Sequence, residues 1–184
     1  MSLAKRKRRL AACRQTIATR SPDMHPRAER LIAELRLEAH PEGGFYRELF
    51  RSQIPVLPSD GRGSRPALTT IYFLLTDDTV SRWHCVRSDE VWHLYEGGPL
   101  ELFELDIATH SLARHRLTQV GDDGAPVHTV PADRWQAARS IGPYALVGCS
   151  VGPGFDFADF RLLADDVVAS ERVRERWPEL ATLI

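Results

Sequence analysis

Between Phe45 and Leu163 the apolar positions fall in short runs rich in aromatic and β-branched residues, each closed by glycine, proline or aspartate. The runs are 44–51, 67–76, 79–87, 90–96, 99–107, 111–118, 126–130, 134–140, 143–151 and 155–163. Turn signals at intervals of about 8–12 residues mark an antiparallel sandwich or barrel. Parallel strands need long crossovers, usually helical, and no such segment lies between these runs. A parallel α/β sheet is therefore excluded. Ile54–Pro66, with three prolines and two glycines, reads as an exposed loop. Helical spacing is confined to the ends. Leu31, Ile32, Leu35 and Leu37 follow Pro26 and predict a helix over about 26–37, stopped by His40-Pro41-Glu42-Gly43-Gly44. A second helix is expected over about 165–177, begun by Asp165 or Asp166 and stopped by Pro178. The pattern predicts an all-β fold with a short N-terminal helix and a C-terminal helix.

Length and charge refine this picture. At 184 residues, 43% hydrophobic and 27% charged, the chain is sized for one domain with a real core. Residues 1–30 carry nine basic side chains against Asp23 and Glu29, which leaves 15 basic and 23 acidic residues for the remainder. The division expected is a basic, solvated leader over 1–25 and a single domain over 26–184, with an organelle transit segment as the other reading of the leader. A body with that acidic excess is a poor nucleic-acid partner. No window approaches the roughly 18 apolar residues of a membrane span. Cys13, Cys85 and Cys149 are odd in number and form no CxxC, which points to a reducing, cytoplasmic setting.

Candidate chemistry concentrates in Ser81–Gly97, which contains His84, Glu90 and His93. An imidazole and a carboxylate six residues apart, on two strands joined by a tight turn, can face each other across a barrel interior. That arrangement suits a divalent metal or an acid–base pair. Alternation along a strand puts Glu90 and Trp92 on one face and His93 on the other; His93 joins His84 and Glu90 only if a bulge turns it inward. The plainer reading is a hydrogen-bonded core His84 and a surface His93. Arg47, Glu48, Thr70 and Tyr72 are candidate orienting groups, or else rim salt bridges and structural hydrogen bonds, and Trp92 is the best tryptophan for a pocket wall. Gly148-Cys149-Ser150-Val151-Gly152 satisfies the GxSxG pattern, but Pro153-Gly154 cannot open the helix that a nucleophile elbow requires. Lys5–Arg9 reads as a solvated basic run.

These residues resemble the cupin superfamily. Ser81–Gly97 is similar to its first motif, with His84 on the first histidine, Val86 in place of the second, Glu90 on the glutamate and Gly97 at the expected interval. Pro131–Gln136 is similar to the second motif, with Asp133 replacing a glycine and Gln136 the metal-binding histidine. The segments His40–Glu48, Thr70–Leu75, Trp135–Arg139, Val147–Ser150 and Pro153–Phe160 narrow the resemblance to the DUF985, or Cupin_5, family over about 27–184. Arg161 stands where that family usually has glutamate. The resemblance implies a double-stranded β-helix (jelly-roll barrel), usually homodimeric, with a small-molecule pocket inside. The implied cofactor is none, or a weakly held divalent metal on His84, Glu90 and Gln136. Three functions stay open: a sugar isomerase- or epimerase-like enzyme using His84 and Glu90, a non-catalytic metabolite binder, and a metal-dependent oxygenase.

Overall fold

A computed structural model describes residues 24–184 apart from Asp122; the basic leader lies outside the described residues except for Met24 and His25. The chain begins with helix α1 (Pro26–Leu35), capped by the His25 imidazole, which accepts from the Arg27 N–H, and closed by Arg36 in the left-handed conformation. Strands follow as β1 (Glu38–Ala39), β2 (Phe45–Arg51), β3 (Pro55–Val56), β4 (Arg65–Pro66), β5 (Thr69–Thr76), β6 (Val80–Val86) and β7 (Asp89–Gly97). After these come β8 (Leu100–Asp106), β9 (Ser111–Leu117), β10 (Val127–Val130), β11 (Trp135–Ser140), β12 (Tyr144–Gly152) and β13 (Phe160–Leu162). Helix α2 (Val167–Arg176) and a 3-10 segment (Pro178–Leu183) complete the chain. The predicted run 155–163 is mostly turn, with only β13 extended, and the predicted loop 54–66 pairs its two ends as β3–β4.

Two antiparallel sheets carry the architecture, ordered β1-β2-β5-β12-β7-β10 and β13-β6-β11-β8-β9. From β5 to β13 the chain passes from one sheet to the other at every connection except the β8–β9 hairpin. This alternation winds the strands into a jelly-roll barrel. Its interior is filled from both sheets by Phe73, Leu75, Trp92, Leu94, Leu100, Leu102, Val147 and their neighbours. The outer faces are covered at each end of the chain. Ala28 and Leu31 of α1 pack on Leu74 and Leu146, while Ala169, Val173, Leu180 and Leu183 pack on Trp83, Phe103, Leu105 and Trp135. Burying each such aromatic or Leu side chain contributes roughly 1.5–3 kcal/mol, so the two terminal helices are integral to the domain.

Candidate functional site

Strict alternation on β6 and β7 decides which groups reach the barrel interior. Trp83 and Cys85 face the α2 layer, so His84 between them points inward. On β7 the register with β12 runs without interruption from Asp89 to Leu94, which puts Glu90, Trp92 and Leu94 inside. His93 is outside and stacks on Tyr95. No bulge turns His93 inward, since the irregularity in this pairing falls after Leu94, and His93 stays on the face that alternation assigns it.

Gln136 stands directly across from His84 on β11. Both ends of its amide are engaged, with Trp92 Nε1 donating to Oε1 at 2.9 Å and Nε2 donating to Glu90 Oε2 at 2.6 Å. The result is a buried relay from indole to amide to carboxyl. Burial pushes the Glu90 carboxyl up to about 7; the nearby Glu42 carboxylate adds to the rise, while His84 and the hydrogen bonds from Gln136 and Cys149 oppose it. His84 Nδ1 donates to the Arg82 carbonyl at 2.8 Å, which leaves Nε2 with its lone pair. Burial lowers its basicity against the opposing pull of Glu90. The ring stacks on Phe160, with centroids 5.5 Å apart.

Two further groups complete the cluster, and the sequence reading had given neither a role. Glu42 is buried, accepts from Ser81 Oγ at 2.9 Å and lies 3.4 Å from His84 Nδ1. Its carboxyl is raised by burial. His40 Nδ1 lies 3.6 Å from the same carboxylate. Both arrive on the turn between β1 and β2. There Gly43 has φ +112°, and a Cβ would sit 2.1 Å from the Val80 carbonyl oxygen. Only glycine lets this turn lie against β6 and drive Glu42 inward. A charged residue set directly before two glycines, in a chain of apolar strands, was the available signal.

The remaining orienting candidates lie elsewhere. Arg47 is outside, donating to the Leu35 carbonyl at the end of α1. Thr70 is also outside, in a hydrogen bond with Ser150, and Tyr72 packs in the α1 layer. A period of two places these three on one face but leaves open which face is the interior. Glu48 is exposed in the middle of β2, its carboxylate held by Arg51 at 2.6 Å. Asp133 adopts φ +63°, the left-handed geometry that favours glycine, and acts as a turn residue. Arg161 lies over the Trp135 ring.

The residues at the cupin metal positions do not fit a metal. Val86 has no donor atom, and Gln136 offers only a neutral amide oxygen that already accepts from Trp92. His84 and Glu90 are left as two ligands, short of the three or four that a divalent transition metal takes.

Residues 29–163 match the family described as the cupin superfamily, DUF985. Two solved structures share the fold and much of the sequence. A hypothetical protein from Leishmania major is 32% identical, with 85% of this chain and 96% of that one covered and a TM-score of 0.71. Protein SO0799 from Shewanella oneidensis is also 32% identical, with 85% and 93% covered and a TM-score of 0.71. Oxalate decarboxylase from Bacillus subtilis, 14% identical with 79% of this chain and 36% of that one covered, shares the fold at a TM-score of 0.51. Among curated proteins none matches.

Proposed function

The chain belongs to the DUF985 family of the cupin superfamily, and on that premise we propose that it binds a small polyhydroxy-carbonyl metabolite in its barrel and moves a proton on it, in the manner of a sugar isomerase or epimerase. The observation that supports this most directly is the contrast between two buried neighbours. His84 is a neutral imidazole with a free Nε2 lone pair, and Glu90 is a carboxyl that titrates at about 7. A carboxyl that keeps its proton to near neutrality beside an imidazole that burial keeps unprotonated supplies a general acid and a general base at physiological pH. His84 Nε2 takes a proton from the carbon next to the substrate carbonyl, and the protonated Glu90 returns one to the resulting enediolate. The pair ends as imidazolium and carboxylate, and Glu42, 3.4 Å from His84 Nδ1, favours the imidazolium. Trp92 and Gln136 hold Glu90 in place.

A panel of aldoses, ketoses and keto-sugars incubated with the protein in D2O tests this reading by mass spectrometry. Deuterium at the carbon next to the carbonyl is expected with the parent protein and lost with Glu90→Gln or His84→Ala, with ligand affinity retained. Binding without incorporation favours the second reading, a non-catalytic metabolite binder. That reading draws on the closed Trp92–Gln136–Glu90 relay, which leaves only one Glu90 oxygen free of Gln136. A metal-dependent oxygenase has no support from the donors at 84, 86, 90 and 136. We also propose a homodimer, consistent with the apolar residues Phe50, Ile54 and Leu57, which are 52, 68 and 79% exposed.

A further inference from the structure

A second polar cluster lies in the same barrel, on strands that contribute nothing to the acid–base pair. Glu104 on β8 is paired with Gln136 and shares the face of Leu102, an interior residue. His115 on β9 stands across from Leu102, and His128 on β10 across from Trp92. Strands β9 and β10 belong to different sheets, so these three side chains meet at the seam where the barrel closes.

Their geometry brings three possible ligand atoms together with a single long hydrogen bond among them. His128 Nε2 and His115 Nε2 both approach the same oxygen, Glu104 Oε2, at 3.4 and 3.5 Å. At those separations His128 makes only a long hydrogen bond to the carboxylate, and the buried His115 Nε2 has no hydrogen-bond partner. The separations match the ligand–ligand edge, about 3.3–3.5 Å, of a tetrahedron whose bonds to zinc are about 2.0–2.1 Å. The two imidazoles stack with centroids 3.5 Å apart and planes 22° apart, which sets their Nε2 edges side by side. Among the described residues this is the set of three whose ligand atoms all lie within 4.8 Å of one another. Arg134 does not compete for the site: it is ion-paired to Asp106, and its Nε lies 4.0 Å from the other Glu104 oxygen. It therefore orients the carboxylate with Oε2 toward the imidazoles, as outer partners of metal ligands do. All three side chains keep partial exposure.

We propose that Glu104, His115 and His128 form a binding site for a divalent transition metal, zinc above all, at the β9–β10 seam. Two imidazoles and one carboxylate suit zinc and its first-row neighbours, and not magnesium or calcium. The site is separate from the His84–Glu90 pair and does not rest on the proton-transfer reading. The Gln136–Trp92 relay lies between the two.

The test uses the full chain, stripped with a chelator and titrated with Zn2+ by calorimetry and with Co2+ by visible absorption. One equivalent per chain is expected, with a Co2+ spectrum of nitrogen and oxygen ligands and no sulfur charge-transfer band. His115→Gln and His128→Gln should each weaken Zn2+ binding by at least about 100-fold, while His84→Ala leaves it unchanged. As a readout free of substitutions, the imidazole 15N resonances of His115 and His128 in the parent protein should shift on adding one equivalent of Zn2+. Absence of stoichiometric binding, a cysteine-type Co2+ spectrum, or resonance shifts confined to other histidines would overturn the proposal.

Discussion

Replacing Glu90 by glutamine keeps the shape and the contact with Gln136 but removes the one buried carboxyl whose titration is displaced to about 7. In the unfolded chain this group loses its proton near its ordinary value of 4.5; in the native protein it keeps the proton until about 7. Between those values the folded state binds more protons than the unfolded state, so unfolding free energy falls as pH rises. The stabilisation is fully present below pH 4.5 and gone above the native value. At about 1.4 kcal/mol per pH unit, the displacement is worth roughly 3 kcal/mol. Glutamine cannot titrate. The stability of Glu90→Gln minus that of the parent should therefore be flat in acid, climb by roughly 3 kcal/mol between about pH 4.5 and 7.5, and level off. His40, Glu42 and His84 titrate in both proteins, and to first order they cancel in the difference. Urea titrations at intervals across this range, followed by tryptophan fluorescence and circular dichroism, supply the numbers. A difference that stays constant, or that falls with pH, would refute the claim that burial holds this acid protonated.

Other expectations follow from single contacts. Glu96, which accepts from Arg27 at 2.7 and 2.8 Å and from the Tyr144 hydroxyl at 2.7 Å, is held down to about 2; its contribution is present above pH 4.5 and lost as pH falls toward 2. Being more than a third exposed, it should cost no more than about 1 kcal/mol when changed to glutamine, yet amide exchange in α1 should rise measurably. Gly43→Ala should destabilise by at least about 2 kcal/mol in urea, because its Cβ meets the Val80 carbonyl at positive φ. Asp133→Gly should change stability by less than about 1 kcal/mol, relief of left-handed strain offsetting the added chain entropy; a larger loss would mean the carboxylate does more than occupy a turn. Light scattering should give twice the monomer mass, and Phe50→Glu with Leu57→Glu should shift it to monomer.

The barrel was legible because its strands obey a simple rule: apolar runs of strand length broken by Gly, Pro and Asp, with periodic helices only at the ends. The His84, Glu90, Trp92 and Gln136 set was legible because motif spacing and alternation agree on it. Arg47, Thr70 and Tyr72 were misplaced for a physical reason. Strand β5 carries apolar residues on both faces, since α1 covers the outer one, and β2 alternates polar and apolar residues without a clean stripe, so hydropathy could not say which parity faces inward. Glu42 and His40 escaped because a turn, not a strand, carries them. The Glu104, His115 and His128 group escaped because it unites three strands from two sheets, and no sequence spacing encodes a seam.

The turn at Gly43–Gly44 has one more implication. Glu42 is threaded into the barrel by a peptide that precedes all of its long strands, so the second acid is an insert and not part of the wall. Opening the chain at residue 45 by circular permutation would keep the wall and carry that insert to the far terminus. Grafting the pentapeptide 40–44 between relatives would transplant acidity without disturbing a single long strand.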